Sequence, residues 1–462
     1  MSSFHSLPAE IQGMIFDIIH KDEWRTGQYA AVNRCWQDYF ERKNFKSLEI
    51  SRLEVQNLKR IVTPRRQVFV KHIWYRILLD KYIYDMTKVE EKPKVLWEAD
   101  SRFTQSIQSM WGVLKDWDAR NSLTFELTAY SPVSDWSDLI DRRENTWEKD
   151  FAAYRLHKKS GSKEPYSYPD DPLKLYVEKD KEFISPSFRR YWWALRRNLM
   201  GWKSLEFTSK QSYNEEVYFI RDPIVLPTVS VISKFLIRRT NFRQFCPDAL
   251  SQIFDSLRNI QDITIERWVS MVADDETAWC RKARRTFAED LPMTVKTLSL
   301  SGNRCPIFHS WPSSRVRRRK CLAKILRRHS KSLENLHLSD IIEAEDFLSL
   351  SQESLFQVPR WKELEALILT TEAFVYNTSD RSSMESLLCA AARAARRMPR
   401  LKELEIRSSR SNECFFRFEI VDTIANLTWS GPVLDSSQIM RDWQRTSAWR
   451  DTADIRTTGF DI

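Results

Sequence analysis

The sequence predicts an α/β protein in which a short all-α segment precedes an irregular solenoid of helices and parallel strands. Three observations support this prediction. An apolar repeat with helical spacing opens the chain, short apolar–x–apolar strands recur after it, and amphipathic helical stretches lie between those strands. The 462 residues suffice for two or three domains or for one elongated array. With 42% apolar residues, 18 Trp and 25 Phe, the chain can build a large core.

Residues 4–45 are predicted to form two or three short helices. Pro8 suits a first helical position, where its missing N–H is not needed, and Glu10 favours the first turn. A repeat of isoleucines follows at helical spacing, at Ile11, Ile15, Ile18 and Ile19. About forty residues cannot bury so many large side chains among themselves, so part of this apolar surface is expected to need a partner or the following domain.

The rest of the chain contains short strands at intervals that fit one strand and one helix per unit. The clearest five are DITIERW (262–268), KTLSLSG (296–302), ENLHLSD (334–340), EALILTT (365–371) and KELEIRS (402–408). Their first apolar positions, Ile263, Leu298, Leu336, Leu367 and Leu404, are 35, 38, 31 and 37 residues apart. Earlier strands are predicted at 47–50, 70–79, 123–127 and 204–207. Because the spacing is irregular, an ordinary α/β domain is the alternative.

Four helices are predicted between the later strands, at 247–257, 278–292, 316–333 and 381–399. The segment HKKSGSKEPYSYPDDP breaks the pattern and predicts an exposed loop. Near the C-terminus, RFEIVDTIANLTWSGP predicts closing strands and SSQIMRDWQRTSAWRD a final helix. The predicted domains are therefore residues 1–46 and residues 47–462, the second with an exposed insertion near 144–200.

Positive charge is concentrated in residues 277–330. This region holds fourteen Lys or Arg against Glu289 and Asp290, whereas the whole chain has a net charge of +10. Its densest run is predicted to be one amphipathic helix with Cys321, Leu322 and Leu326 on the apolar side. A solvated outer helix face is the plain interpretation, and a nuclear-import signal or a dock for an acidic or phosphorylated partner is the alternative. The candidate basic patch is Arg317, Arg318, Arg319 and Lys320.

No pattern in the sequence indicates catalysis, a metal or a cofactor. The seven Cys form no CxxC pair, the seven His form no HExxH, and no GxSxG, GxxxxGK[ST] or GxGxxG occurs. We therefore expect a non-catalytic protein, with an unrecognised enzyme as a minor alternative. The chain shows neither secretory-signal features nor a membrane-length apolar stretch, so a cytoplasmic and/or nuclear location without membrane contact is expected.

The opening stretch FHSLPAEIQGMIFDII, followed by YAAVNRCWQDYFERKNFKSLEI, resembles an F-box, and closely the F-box of the large fungal set of such proteins. The combination LPxEIxxxIxxxI with a later VxRxW-like element, here Val32 to Trp36, carries the resemblance over residues 3–50. The remainder resembles the divergent leucine-rich-repeat-like regions of fungal F-box proteins. It lacks the asparagine positions of standard repeats.

This resemblance implies a substrate-recognition adaptor of an SCF-type (Skp–cullin–F-box) ubiquitin ligase. The F-box would bind a Skp-family adaptor, and a cullin through it, while the C-terminal region would bind an unknown protein substrate. An apolar helical stripe suits a groove between partner helices, and Trp often dominates interface energies. The alternative is that the N-terminal helices only cap the core of the solenoid. The predicted adaptor-binding residues are Leu7, Pro8, Glu10, Ile11, Ile15, Ile18, Ile19, Val32 and Trp36.

The predicted substrate surface lies on the strands. In a parallel array, the residue between the two apolar positions of each strand faces away from the helices. These residues are Thr264, Ser299, His337, Ile368 and Glu405, flanked by Glu266, Ser301, Ser339, Thr370 and Arg407. We expect them to line one concave polar surface that binds a protein segment, although loops or the basic region are alternatives. A second hypothesis is a non-catalytic scaffold or nucleic-acid-associated protein that acts through residues 277–330, with nucleic acid the less expected partner.

Overall fold

The computed structural model describes residues 4, 7–22, 26–79, 93–130, 201, 203–208, 224–270, 272–303, 319–349, 361–374, 381–409, 414–430, 437–449 and 454–460. Within these residues the chain is a mixed α/β protein with one open, mostly parallel sheet of twelve strands. The insertion predicted near 144–200 lies outside the described residues.

Strand order in the sheet follows the order in the chain, so each strand lies beside the next one. Neighbouring strands are parallel except where β10 pairs with β9 and β11. The strands are β1 (Ser47–Ser51), β2 (His72–Leu78), β3 (Leu123–Tyr130), β4 (Ile232–Ile237), β5 (Asp262–Trp268), β6 (Thr297–Asn303), β7 (Asn335–Ser339), β8 (Ala366–Thr371), β9 (Glu403–Ser408), β10 (Phe415–Val421), β11 (Ile424–Ser430) and β12 (Asp454–Phe460).

Helices supply the crossovers that parallel neighbours require. Among the described residues, one α-helix lies between β2 and β3, between β4 and β5, and between each later pair of parallel neighbours up to β9. The described α-helices are α1 (Ala9–Asp22), α2 (Arg34–Asn44), α3 (Val55–Ile61), α4 (Pro64–Gln67), α5 (Pro93–Leu114), α6 (Pro247–Ser256), α7 (Ala273–Arg284), α8 (Arg319–His329), α9 (Ala344–Leu348), α10 (Arg381–Ala395) and α11 (Ser437–Trp449).

The alternating apolar positions of the strands form the sheet side of the core. Ile263, Leu298, Leu336, Leu367 and Leu404 pair in register across β5–β9, and each is at most 1% exposed. This confirms the five strands that the sequence predicts and the equivalence of their first apolar positions. Helical side chains complete the core, and the Trp111 Nε1 of α5 donates a 2.7 Å hydrogen bond to Ser256 of α6.

The strand predicted at 204–207 is wrong. Leu205 forms only an isolated bridge to Phe245, and β4 occupies the place between β3 and β5 instead. The alternation in β4 is interrupted because the register with β3 shifts by one residue, at a bulge near Ser233. Its buried positions are therefore Ile232, Phe235 and Ile237, which do not follow a two-residue period.

The predicted closing strands and final helix are confirmed. Strands β10 and β11 form an antiparallel hairpin, and Asp422 in its two-residue turn has a positive φ of 54°, which aspartate tolerates better than most residues. The Trp443 ring of α11 packs on Phe416 and Phe418, with centroid distances of 5.3 and 4.8 Å. Strand β12, which the sequence patterns do not predict, then adds in parallel to β11.

The N-terminal segment consists of α1, a 3-10 helix (Thr26–Ala31) and α2. Asn33 caps α2, since its side-chain oxygen accepts a 3.1 Å hydrogen bond from the Trp36 backbone N–H. Strand β1 follows three residues after α2. The short helices that the spacing predicts for residues 4–45 are therefore present.

Candidate functional site

The outer side of α1 carries a stripe of apolar side chains that its own chain leaves uncovered. Ile11, Met14 and Ile18 are 41%, 61% and 57% exposed, and Val32 beyond the 3-10 helix is 58% exposed. With the half-buried Leu7, the α1 positions follow the i, i+4, i+7, i+11 spacing of one helical face. We call Ile11, Met14, Ile18 and Val32 the apolar helix surface.

The opposite side of α1 is fixed to α2 by aromatic packing. Phe16 is 3% exposed, and its ring centroid lies 5.0 Å from that of Trp36 and 5.7 Å from that of Phe40. Phe4 and Tyr29 also pack against Trp36. Offset and edge-on aromatic pairs contribute beyond the area that they bury, so this cluster holds the helix at a defined orientation.

The predicted adaptor-binding residues fall into three groups. Ile11, Ile18 and Val32 are exposed, as are Pro8 and Glu10. Leu7, Ile15 and Ile19 are half-buried. Trp36 is half-buried within the aromatic cluster, so it first serves the packing of its own helices.

Met14 belongs to the same surface but is absent from the predicted set. Within the apolar repeat of α1 the prediction took only the isoleucines, whereas Met14 lies on one face with Ile11 and Ile18. A search for large apolar residues at all positions of that face, rather than for isoleucine, finds it.

The predicted substrate residues form one row across five strands. Thr264 pairs with Ser299, Ser299 with His337, His337 with Ile368, and Ile368 with Glu405. Four of them are half-exposed, while Glu405 is 8% exposed. The flanking pairs Glu266–Ser301, Ser301–Ser339 and Thr370–Arg407 extend the same face. The structure therefore brings together the residues that the strand pattern selects.

Charge on this row is largely compensated within the sheet. Burial, followed by the nearby Arg407 guanidinium, lowers the pKa of His337 to about 4, so its imidazole is neutral at pH 7. The Ser299 Oγ lies 3.3 Å from the His337 Nδ1. Arg407 pairs with Glu405 at 2.5 Å, and Arg417 of the neighbouring strand pairs with Glu403 at 2.8 Å. The row therefore offers hydrogen-bonding groups and paired charges rather than one sign of charge.

The same row of residues continues onto β1–β4. The spacing of β5–β9, from which the substrate surface was predicted, does not extend to these strands. The members of the row on these strands are Glu49, Trp74, Glu126 and Leu236. Glu126 is 2% exposed and lies 3.0 Å from both His72 and Arg238. The Arg76 guanidinium lies over the Trp74 and Tyr130 rings, 4.9 and 4.8 Å from their centroids. This aromatic and cationic part of the face is the strongest addition to the predicted set.

The predicted basic patch is only partly a surface feature. Arg317 and Arg318 lie outside the described residues. Arg319 is 4% exposed, so its place on a solvated face is wrong, whereas the Lys320 side chain is 81% exposed. Buried Arg319 lies 3.9 Å from the Glu343 carboxylate and close enough to Glu276 to lower the pKa of that group. The helix face also differs from the prediction at Cys321, which is exposed.

A buried ion pair lies beside Arg319, where β5 leads into α7. Arg267 donates to both carboxylate oxygens of Glu276 at 2.8 and 2.7 Å, and the Ser270 backbone N–H donates to the same carboxylate at 2.9 Å. The Arg267 guanidinium lies 3.7 Å from the Trp279 ring centroid. Burial alone would raise the pKa of Glu276, but the attraction of Arg267 outweighs it and lowers the pKa to about 2. Loss of either partner would leave the other charge buried and uncompensated, so the pair is a structural feature of the fold.

Within the described ranges, no three His, Cys, Asp or Glu side chains come together as a metal site would require. In the same part of the chain, no helix has both the length and the apolar character needed to cross a bilayer.

A protein-family model matches residues 289–459, which include nearly all of the sheet from β6 to β12. Its description is a family of unknown function, DUF6546. The match covers well under half of the chain and does not include the N-terminal helices. Comparison with curated proteins gives no match.

Proposed function

We propose that this chain is the substrate-recognition adaptor of an SCF-type ubiquitin ligase, with the apolar helix surface binding a Skp-family adaptor. The observation that carries the proposal is the outward stripe of Ile11, Met14 and Ile18 on a helix whose opposite side is fixed by Phe16. Isolated exposed apolar residues are ordinary, but four on one small helical unit indicate a surface that a partner covers.

Burial of the apolar helix surface supplies part of the free energy that a stable complex requires, since association itself costs about 4–15 kcal/mol. Full burial of an exposed Ile, Met or Val side chain contributes about 1.5–3 kcal/mol. Since these four are 41–61% exposed, each retains roughly half of that gain, about 1 kcal/mol. The helix is already held by aromatic packing, so binding does not have to order it, which lowers the entropic cost of association.

The sheet region acts as the substrate receptor in this proposal. Consecutive strand order, α-helices between parallel neighbours and in-register apolar positions support a divergent leucine-rich-repeat-like solenoid. In its row from Thr264 to Glu405, the partly exposed Thr264, Ser299 and His337 offer hydrogen-bonding groups to an extended protein segment. The ligase role needs no catalytic residue in this chain, because the adaptor's contribution is to position the substrate.

A nucleic-acid role through residues 277–330 receives less support. Arg319 and Arg327 are buried, and the Arg327 Nη1 donates to main-chain carbonyls of Phe347 and Ser349. Lys282 and Arg285 are paired with carboxylates. These four of the fourteen cations are engaged by other groups of the chain, which reduces the charge available to contact phosphates.

The proposal is tested by affinity purification from native cells with the Ile18→Asp variant. A carboxylate on the apolar helix surface remains solvated in the free protein but is buried without a partner in the complex. We expect the variant to fold normally and to lose the Skp-family adaptor and cullin while keeping partners of the sheet region. Met293→Asp is the matched control, since Met293 is 85% exposed and lies outside the N-terminal helices. Unchanged recovery of the adaptor with Ile18→Asp would refute the proposal.

A further inference from the structure

We propose that the amino edge of β1 and β2 is a docking surface for an acidic segment of a partner protein. Residues 42–71 contain nine Lys or Arg against Glu49 and Glu54, which gives +7 in a chain whose total is +10. Three of these cations are neutralised by carboxylates of the N-terminal helices, in the pairs Lys43–Asp17, Arg65–Asp38 and Arg66–Glu41.

Five further cations of this segment are exposed and form no ion pair with any described carboxylate. We call them the basic edge: Arg42, Lys46, Lys59, Arg60 and Lys71. Hydrogen-bond and ring contacts place Arg42, Lys46 and Lys71 near one another. The Lys46 carbonyl accepts hydrogen bonds from the N–H groups of Lys71 and His72 at 3.0 and 3.1 Å. Arg42 lies over the Phe69 ring, two residues before Lys71.

The end of α3 joins the same surface through α4. The Arg66 Nη1 donates a 2.9 Å hydrogen bond to the Ile61 carbonyl, while the Arg66 Nη2 pairs with Glu41 of α2. Ile61, which directly follows Lys59 and Arg60 in α3, therefore contacts the arginine that pairs with α2. The position of these two cations in the last turn of α3 is favourable for the helix dipole, but that effect does not account for Lys46 and Lys71, which precede strands.

The residues that immediately precede later strands of the sheet show what is unusual about Lys46 and Lys71. The Lys296 carbonyl accepts from the N–H groups of Glu334 and Asn335, in the pattern that Lys46 forms with Lys71 and His72. There the two side chains have opposite charge and pair at 2.8 Å. Glu365 and Lys402 repeat the arrangement and pair at 2.6 Å.

Immediately before β1 and β2, the two equivalent residues, Lys46 and Lys71, are both lysine. Like charges on adjacent strands repel. Glu334 and Glu365 are also like-charged neighbours, but each pairs with a lysine, whereas no described carboxylate pairs with Lys46 or Lys71. An external carboxylate relieves the repulsion by filling the place that Glu334 fills beside Lys296. The two adjacent lysines before β1 and β2 therefore favour an anionic partner at Lys46 and Lys71.

The surroundings favour a protein segment over a nucleic acid. Ile61 and Val68, beside the basic edge, are 42% and 51% exposed and match apolar side chains rather than phosphates. The aromatic rings here are not open for base stacking, because Phe45 and Phe69 are half-buried with Arg66 and Arg42 over them. The basic edge shares no residue with the apolar helix surface, so this inference goes beyond the proposed ligase role and is tested separately.

The test is fluorescence anisotropy with the full chain and a labelled peptide that alternates Glu with Leu. Lys71→Glu is the informative variant because it installs the Lys/Glu pairing seen at the other steps of the edge. We expect it to keep or raise the unfolding midpoint and to weaken peptide binding about tenfold. Lys402→Glu is the control for net charge, at the amino end of a strand far along the sheet, and its unfolding midpoint is measured as well because it removes the pair with Glu365. It should leave peptide affinity unchanged.

Three results would overturn the inference. The first is unchanged peptide affinity in Lys71→Glu. The second is equal weakening by Lys402→Glu, which would indicate a general charge effect. The third is preference for another polyanion: if a duplex DNA or phosphatidylserine vesicles bind more tightly than the peptide and lose that binding in Lys71→Glu, the partner is not an acidic protein segment. A peptide with Gln in place of Glu should not bind.

Discussion

Breaking the buried pair of Arg267 and Glu276 should destabilise the protein strongly and in a pH-dependent way. Glu276→Gln removes the carboxylate that saturates Arg267, which is 6% exposed and has no route to solvent without local unfolding. Removing one partner of a buried pair costs about 3–5 kcal/mol. The pKa gives a second measure of the same interaction. A pKa of about 2 in the folded chain, against 4.5 for an unperturbed Glu, corresponds to about 3 kcal/mol.

The pH dependence follows from the direction of that shift. Because the folded-state pKa is lowered, the stabilisation is fully present above about pH 4.5 and is lost as the pH falls towards 2. The assay is urea unfolding followed by tryptophan fluorescence, in which Trp279 reports from beside the pair. We expect a difference of about 3 kcal/mol between wild type and Glu276→Gln at pH 7, shrinking towards zero near pH 2.

A double variant separates the loss of a partner from the value of the pair itself. Arg267→Met with Glu276→Leu replaces both charges with apolar groups of similar length, so no charge is left buried alone. It should cost less than Glu276→Gln alone. The reasoning fails if Glu276→Gln costs under about 1 kcal/mol at pH 7, or if its cost does not change between pH 7 and pH 3.

Two further predictions concern burial. Burial, with a smaller effect from neighbouring carboxylates, raises the pKa of Glu343 to about 7. The folded state therefore binds the Glu343 proton more tightly than the unfolded state does. The free energy of unfolding falls as the pH rises from about 4.5 to 7, because the folded protein then has to lose this proton. Glu343→Gln should therefore gain about 3 kcal/mol relative to wild type between pH 4.5 and 8, measured by urea unfolding, and a constant difference would contradict this. Phe16→Ala should cost about 3–5 kcal/mol of N-terminal helix stability, whereas Met14→Ala should cost under about 1, measured by amide exchange in α1. Equal costs would mean that the two sides of α1 are wrongly assigned.

The strands were predictable where burial imposes a strict alternation. Leu298, Leu336 and Leu367 repeat a local pattern that needs no knowledge of distant residues, and their register follows from it. Strand β4 was missed because the bulge at Ser233 changes the period of its buried positions. Strand β12 was missed because Arg456, Thr457 and Thr458 show no apolar face, and they are exposed at the end of the sheet.

The candidate surfaces were predictable to the extent that they depend on one element. The stripe on α1 is a property of one helix, and only Met14 escaped the prediction. Arg319 is buried near Glu276 and Glu343, which are distant in sequence, so the pattern of its own helix placed it in solvent. Lys46 and Lys71 likewise become neighbours only through the pairing of β1 with β2.

Hydrogen–deuterium exchange of the full chain, with and without a purified Skp-family adaptor, tests the central proposal most directly. The account predicts slowed exchange in residues 7–22 and around Val32 when the adaptor is present, with β5–β9 unchanged. It also predicts that Ile18→Asp abolishes this protection. Absence of protection in α1 at saturating adaptor, or protection confined to the sheet, would contradict the assignment of the apolar helix surface as the adaptor-binding site.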